Sequence, residues 1–565
     1  MTTLVARPHR TRNSGTRQQT VALAHQRLIL LMLVFLGIGC LIAARIVWLD
    51  VASASETRGA GAAGIGARGD IVDRNGEVLA RTIEAWSVGV HPNKLLGNAE
   101  QLAGELARLM PERTEAQYLA ILKSGESFTY LRRRAMPELV AAVNALGEPA
   151  MAYAREPERL YPQTTLAAHV IGYTDFDGHG VMGMERVLED QLTNPALRGK
   201  PVSLSIDNRV QAAMESELSA AMTDLKAVGA TGLVLDVNTG EVVAMASLPV
   251  FNPNRSGQAT PEARRNNVTQ SVYELGSTFK PLTMANGIET GVITNLGRRY
   301  DATGPIQIGR FKISDTHGQH RWLNVPETIV HSSNVATARI ADEIGQVKTE
   351  AFFRKLGFYE PADIELRERG RTLPPTYWSR VTNMTVAYGH GIAVTPLHLA
   401  SAYAAMVNGG IWRPATLLKV PTGQAAEGRR VISPRTSMIV RKLLRLVVTD
   451  GTGKSANVAG FRIGGKTGTA EKPGIGGYLK TVNVSTFAAV FPMDKPSYVV
   501  IAMIDSPKGS AESSGQTTAA FTAAPVVAKV IARTGPMMGI YPDSSRDIDL
   551  SDMYPLLWKP KGERE

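Results

Sequence analysis

Leu275-Gly276-Ser277-Thr278-Phe279-Lys280 sets a hydroxyl three residues before an amine, directly after a glycine that can open a helix. Residues three apart share a helix face, so the Lys280 amine is expected beside the Ser277 hydroxyl in the first turn. A serine hydroxyl is a weak nucleophile until a base takes its proton, and a lysine can do so once burial or a second cation lowers its pKa. Alone, Ser-x-x-Lys is ordinarily a solvated helix face. It gains weight from two later strings: Ser332-Ser333-Asn334, 55 residues after Ser277, and Lys466-Thr467-Gly468-Thr469, 132 residues after Asn334.

Ser332 and Asn334, two apart in an extended or turn segment, are expected to point the same way. One would relay a proton to a leaving amine and the other would hold a substrate amide. Lys466 would be the second cation beside Lys280. With the Thr467 and Thr469 hydroxyls it would bind a terminal carboxylate, from an edge strand on which Gly468 lets a substrate backbone approach. The Thr469 and Ser277 N–H groups would form an oxyanion hole. Ser455-Ala456-Asn457 fits the second pattern too, but Asn457 lies nine residues before Lys466, too near to form a separate cleft wall.

A chain of 565 residues, 44% hydrophobic and 20% charged, can bury more than one core. The single cysteine, Cys40, sits in an apolar run, which argues against a disulfide framework, a thiolate metal site and a cysteine nucleophile. His317, His320 and His331 lack acidic partners at ligand spacing, so neither a metal nor a cofactor is expected. The net charge of +11 suits an anionic partner or simply a basic surface; no basic stripe interleaved with aromatics points to nucleic acid.

Leu28 to Ala44 carries no charge, and Ile46-Val47-Trp48-Leu49 extends it to spanning length. Arg7, Arg10, Arg12, Arg17 and Arg27 precede it with no acid among them, which predicts a cytoplasmic N-terminus (1–27), a membrane helix (28–49) and an exported remainder. Ala52-Ser53-Ala54 resembles a signal cleavage site, but the apolar run exceeds the ~7–15 residues of a signal core, which favours an uncleaved anchor. Residues 50–67 read as a linker; Gly59, Gly61 and Gly64 match a dinucleotide fingerprint there without the strand such a site needs.

A non-catalytic module is expected over 68–201, with helices at Ala99 to Met110 and Pro137 to Leu146. A catalytic domain is expected over 202–534. Val202 to Asp207 alternates like a strand, Arg209 to Leu225 like an amphipathic helix, and Gly232–Val237 with Glu241–Ala246 reads as a hairpin about Asn238-Thr239-Gly240. Ser485–Phe491 and Tyr498–Ile504 are apolar strands, Val526 to Ala532 a closing helix, and 535–565 a tail. Strands at both ends with helices between predict an α+β domain whose termini meet in one antiparallel sheet.

The three strings, with Arg68-Gly69-Asp70-Ile71-Val72-Asp73-Arg74-Asn75-Gly76, Arg159-Leu160-Tyr161-Pro162, His169-Val170-Ile171-Gly172-Tyr173, Gly183-Met184-Glu185, Tyr388-Gly389-His390-Gly391 and Val394-Thr395-Pro396-Leu397, resemble the class B penicillin-binding proteins. Asn334 is similar to the division-type (FtsI-like) branch. The resemblance implies a penicillin-binding transpeptidase domain behind a membrane anchor and an elongated pedestal module. It implies a peptidoglycan D,D-transpeptidase of the septal wall, held in the inner membrane with its catalytic domain in the periplasm. Ser277 would attack the D-Ala-D-Ala bond of a stem peptide from a lipid-linked precursor, and β-lactams would acylate it. An FtsW-like glycan polymerase and other divisome proteins are the implied partners. A D,D-carboxypeptidase or β-lactamase shares the strings, and a β-lactam sensor or divisome scaffold would keep them idle. Leu275, Ala336, Ala489, Ala519 and Ala520 depart from the family pattern outside the catalytic strings.

Overall fold

The computed structural model describes residues 27–43, 45, 68–197, 199–309, 311–474 and 477–558. They belong to two units, Met1–Ile65 and Gly66–Glu565. In the first, residues 27–43 form a helix exposed along its length. Among the described residues no helix is long and apolar enough to cross a membrane. The expected span over 28–49 is thus described only in part, and the N-terminal basic segment before Arg27 and the linker up to Ala67 lie outside the described residues.

The second unit begins with a twisted sheet of β1 (Ile71–Val72), β2 (Val78–Val90), β3 (Thr129–Ala135), β4 (Met151–Leu160) and β5 (Val202–Ser203). Its order is β3-β2-β1-β5, with β4 also paired to β2; only β1 and β5 run parallel. The helices α1 (Ala99–Leu109) and α2 (Glu115–Leu122) cover it through Leu102, Leu106 and Tyr118, which meet Val88, Val90 and Leu131. Asn98 caps α1, and Thr114 with Gln117 forms a capping box on α2, so both helices start where short polar side chains satisfy free N–H groups.

Three of the motifs quoted above meet inside this region. Arg68 Nε donates to Glu185 Oε2 and Arg159 Nε to Glu185 Oε1, each at 2.7 Å, with Glu185 fully buried. Arg68 also reaches Glu189 at 2.8 Å, and Arg159 Nη1 donates to Gly69 O at 2.9 Å. Asp73, from the first motif, accepts from the amides of Asn75, Glu77 and Asn208, tying the start of the module to the head of the next helix.

The expected strand over Val202–Asp207 stops at Ser203. Beyond it Leu204 and Ile206 are buried in the second core, the Ser205 amide donates to Leu417 O, and Asp207 turns to cap α3 (Asn208–Asp224). A second sheet follows, built from β6 (Gly229–Asp236), β7 (Val242–Leu248), β8 (Gly464–Gly474), β9 (Gly477–Phe491) and β10 (Tyr498–Asp505). Its order is β8-β9-β10-β6-β7, antiparallel throughout, so the two ends of the segment do meet in one sheet. The period-two alternation sends Val499, Ile501 and Met503 to one face and Val500, Ala502 and Ile504 to the other, and each set joins a different core.

One face is covered by α3 and by the closing helix, which runs Ala523–Thr534. The other packs on Pro396–Val407, a helix buried at every position, together with Lys280–Glu289, Asn334–Ile344 and Pro434–Thr449. In chain order these five are α4 (Lys280–Glu289), α5 (Asn334–Ile344), α6 (Pro396–Val407), α7 (Pro434–Thr449) and α8 (Ala523–Thr534). Residues after Thr534, expected as a tail, lie against the domain as far as Trp558. Ile548, Leu550 and Met553 are buried, Asp547 pairs with Arg445 at 2.7 Å and Asp552 with Lys442 at 2.8 Å. Their apolar residues follow neither helical nor strand periodicity, so pattern alone does not mark the segment as packed.

Candidate active site

Gly276–Phe279 forms a 3₁₀ turn that runs into α4. Positions i and i+3 share a face in such a turn, yet among the described residues no hydrogen bond joins the expected pair, since Lys280 Nζ turns to Ser332. Gly276 is the first residue of that turn, at φ +55°, and its amide donates to Gly389 O at 3.2 Å. Three segments crowd here. A Cβ on Gly389, itself at φ +80°, would lie 2.0 Å from Gly276 O, and one on Gly468 would lie 2.4 Å from Leu275 O. Gly468 thus has a second purpose beyond the substrate approach expected of it, since it lets strand β8 touch the serine turn. Replacing Gly389 by alanine adds a left-handed backbone cost of ~1–2 kcal/mol and pushes Gly276 away. Penicillin acylation is expected to fall about 100-fold, as a displacement of order 1 Å commonly costs, and the labelling rate measures it.

The carbonyl of Thr278 accepts from the hydroxyl of Tyr403 at 2.8 Å. Tyr403 is fully buried on α6, and sequence reading missed it. The available signal was a phenolic hydroxyl within a buried run, which must find a partner.

Lys280 Nζ donates to Ser332 Oγ at 3.0 Å and also to the Ser332 carbonyl. Ser277 Oγ, half-buried, has no hydrogen-bond partner among the described residues. Ser332 sits at φ +57°, the left-handed region that a non-glycine residue seldom adopts, so the surrounding structure holds it under strain. Ser333, between the two expected site residues, is structural: its Oγ caps α5 by accepting from the Ala336 amide at 3.0 Å and donates to Asp315 at 2.7 Å. The other Asp315 oxygen accepts from the Val335 amide at 2.9 Å. Asp315, in a polar loop, gave no signal in the sequence. Asn334 begins α5, and its side-chain amide donates to Ser314 O at 3.1 Å.

Lys466 lies on β8, the edge strand, as expected. It is fully buried and donates to Thr467 O at 3.0 Å and Thr467 Oγ1 at 3.1 Å. Thr467 Oγ1 also bonds Thr452 Oγ1 at 2.8 Å, and Thr469 Oγ1 accepts from the Ala519 amide at 3.1 Å. The Thr469 backbone lies against Gly276, since a Cβ there would be 2.9 Å from Thr469 O. The rival string is elsewhere: Ser455 Oγ bonds Ala520 O, and Asn457 accepts from Arg445.

Burial pushes Lys280 down to about 7, against the pull of Asp315. Lys466 is pushed well below the usual lysine range, first by burial and then by the charge of Lys280. Two buried amines so close will not both hold a proton, so the pair supplies one neutral amine near neutral pH. The base form grows as pH rises. The acylation rate with penicillin is therefore expected to climb about tenfold per pH unit below about 7 and to level off above it, as read by labelling rates across that range.

Two buried histidines serve packing. His169 and His398 are each pushed down to about 4 by burial, and each sets Nε2 on a backbone carbonyl.

Residues 230–530 match the penicillin-binding protein transpeptidase domain, and residues 65–199 match the penicillin-binding protein dimerisation domain. The chain is 40% identical over 504 residues to a probable peptidoglycan D,D-transpeptidase FtsI of Caulobacter vibrioides, covering 87% of this chain and 85% of that one. It is 32% identical to the probable peptidoglycan D,D-transpeptidase PenA of Neisseria gonorrhoeae, over 84% of this chain and 85% of the relative. It is 28% identical to FtsI of Escherichia coli, over 84% of each. The crystal structure of penicillin-binding protein 3 from Mycobacterium tuberculosis, complexed with aztreonam, superposes with a TM-score of 0.66 at 27% identity, covering 85% of this chain and 98% of that one. The chain belongs to the class B penicillin-binding proteins, on their division-type, FtsI-like branch.

Proposed function

We propose that this serine-type D,D-transpeptidase cross-links peptidoglycan stem peptides of the septal wall through an acyl-enzyme on Ser277. The observation that carries the assignment of roles is the Lys280–Ser332 hydrogen bond at the foot of α4, directly after the Ser277 turn, with Lys280 and Lys466 both fully buried. Ser277 Oγ attacks the carbonyl of the D-Ala-D-Ala bond while its proton passes to neutral Lys280. The carbonyl oxygen becomes an oxyanion held by the Ser277 and Thr469 amides. As the C–N bond breaks, the proton moves through Ser332 to the departing D-Ala amine. An amine of a second stem then attacks the ester, a cross-link forms and Ser277 is restored.

Lys466, Thr467 and Thr469 bind the donor's terminal carboxylate, whose arrival raises the affinity of Lys466 for a proton. Asn334 holds a donor amide, and Gly468 admits the donor backbone to the edge strand. Penicillin enters the same site as a donor mimic. Residues 68–201 act as a pedestal for the catalytic domain over 202–534. The helix over 27–43, uncharged after Arg27, supports an uncleaved inner-membrane anchor, with the catalytic domain in the periplasm and an FtsW-like polymerase and other divisome proteins as neighbours.

A pentapeptide donor ending in D-Ala-D-Ala, mixed with the protein and an acceptor amine, tests the reading. Free D-Ala together with a donor–acceptor amide is expected. Release of the free acid alone, whatever the acceptor concentration, would sink it in favour of a hydrolase.

A further inference from the structure

A cavity of ≈ 480 Å³ opens beside the first turn of α6, and none of the residues of the three strings lines it. Leu397, His398 and Ser401 from α6 and Trp412 form its buried part. Trp412 is 7% exposed, and its indole N–H has no hydrogen-bond partner among the described residues. Native structures hold few buried donors without an acceptor. Over this floor stand arginines. Arg429 stacks on the Trp412 ring at 3.5 Å from its centroid, positioned by the cross-strand pairing of Ile411–Trp412 with Arg429–Arg430. Arg369 lines another wall and gives one hydrogen bond, at 3.4 Å, to Ala362 O. Neither Arg369 nor Arg429 forms an ion pair among the described residues. Arg354 is paired with Glu350 at 2.7 Å, while Glu360 and Asp363 add acid to the rim.

His398 does not offer a free ring nitrogen, since Nδ1 meets Thr395 Oγ1 and Nε2 meets Glu360 O. The groups left for a ligand are an apolar floor and two guanidinium groups, of which Arg429 already gives its Nε to Lys355 O at 2.8 Å and keeps its Nη groups for an oxyanion.

We propose that this cavity binds a small amphipathic anion, with its apolar body on Trp412 and Leu397 and its carboxylate or phosphate oxygens on Arg369 and Arg429. The test uses the full-length protein in detergent, carrying 5-fluorotryptophan at its six tryptophans and acylated beforehand with penicillin G so that the catalytic carboxylate clamp is filled. The ¹⁹F signal absent from W412F marks Trp412. Phenylacetate or phenyl phosphate is expected to shift that signal saturably, and the tighter of the two names the anion's chemistry. Uncharged phenylacetamide, and the R369Q/R429Q variant, are expected to show at least tenfold weaker binding. A Trp412 signal that stays still for both anions overturns the site. So does one that moves equally for the amide or in the double variant. Penicillin labelling reports whether the double variant folds; if it fails to label, R369Q alone, at an exposed position, replaces it.

Discussion

Ser277→Ala is expected to abolish covalent labelling by a fluorescent penicillin while leaving the protein as stable as before. The alanine removes the hydroxyl on which the proposed acyl-enzyme is built. The Ser277 hydroxyl has no hydrogen-bond partner among the described residues and is only half-buried, so its loss is expected to change stability by no more than ~0.5 kcal/mol. Lys466 and Thr467, whose contacts do not involve Ser277, keep their geometry. Reversible penicillin binding should therefore persist, measurable by calorimetry, when acylation has vanished. Two readouts separate the roles: gel fluorescence for the covalent step and thermal unfolding for the fold. Labelling that survived in Ser277→Ala would remove Ser277 from the mechanism. A collapse of the melting temperature would show that the hydroxyl has a structural partner.

Glu185→Ala is expected to destabilise the N-terminal part of the second unit by about 3–5 kcal/mol, the typical result of removing one member of a buried ionic cluster. Glu185 is fully buried and receives Arg68 and Arg159, which are 6% and 6% exposed. Removing the carboxylate leaves two cations facing each other out of water. Arg159 Nη2 already lacks a partner, so it has no spare acceptor to turn to. Arg68 retains Glu189, which softens the loss on its side. The change lies far along the chain from Ser277, so thermal unfolding should show a lower midpoint or a separate early transition. Penicillin labelling at low temperature should persist. An unchanged melting profile would mean that water reaches the pair and that the cluster contributes little.

Much of this was legible in the sequence because apolar alternation reports which face of a strand is buried, whatever lies on the other side. The strands around Gly232, Val242 and Tyr498 were read within a few residues, while that around Ser485 starts earlier, at Gly477, and all four share one antiparallel sheet. The edge position of Lys466 followed from its glycines. What escaped were contacts with no periodic signature. Asp315 meets Ser333 across 18 residues, and Tyr403 meets Thr278 across 125, through single hydrogen bonds that leave no pattern in either segment. Gly276 does open the serine turn, and its positive φ, which no periodic pattern reports, serves a close crossing with Gly389. The packed segment after Thr534 was missed for a related reason: its anchors are ion pairs and isolated apolar residues.

The way the second sheet closes also sets a schedule. Its central pairing joins Val234 to Val500 and Leu233 to Ile501, so the hairpin made early in synthesis waits for strands made near the end. Closing so long a loop is slow compared with forming local turns. Until then the Ser277 turn has no β8 beside it, no Lys466 and no shielding from water around Lys280. A lysine left in water stays protonated and takes no proton from serine. A half-made chain therefore carries its future nucleophile in an inert form, and reactivity toward β-lactams becomes a timestamp for completed folding. Penicillin labelling during synthesis would then count finished molecules and pass over nascent ones.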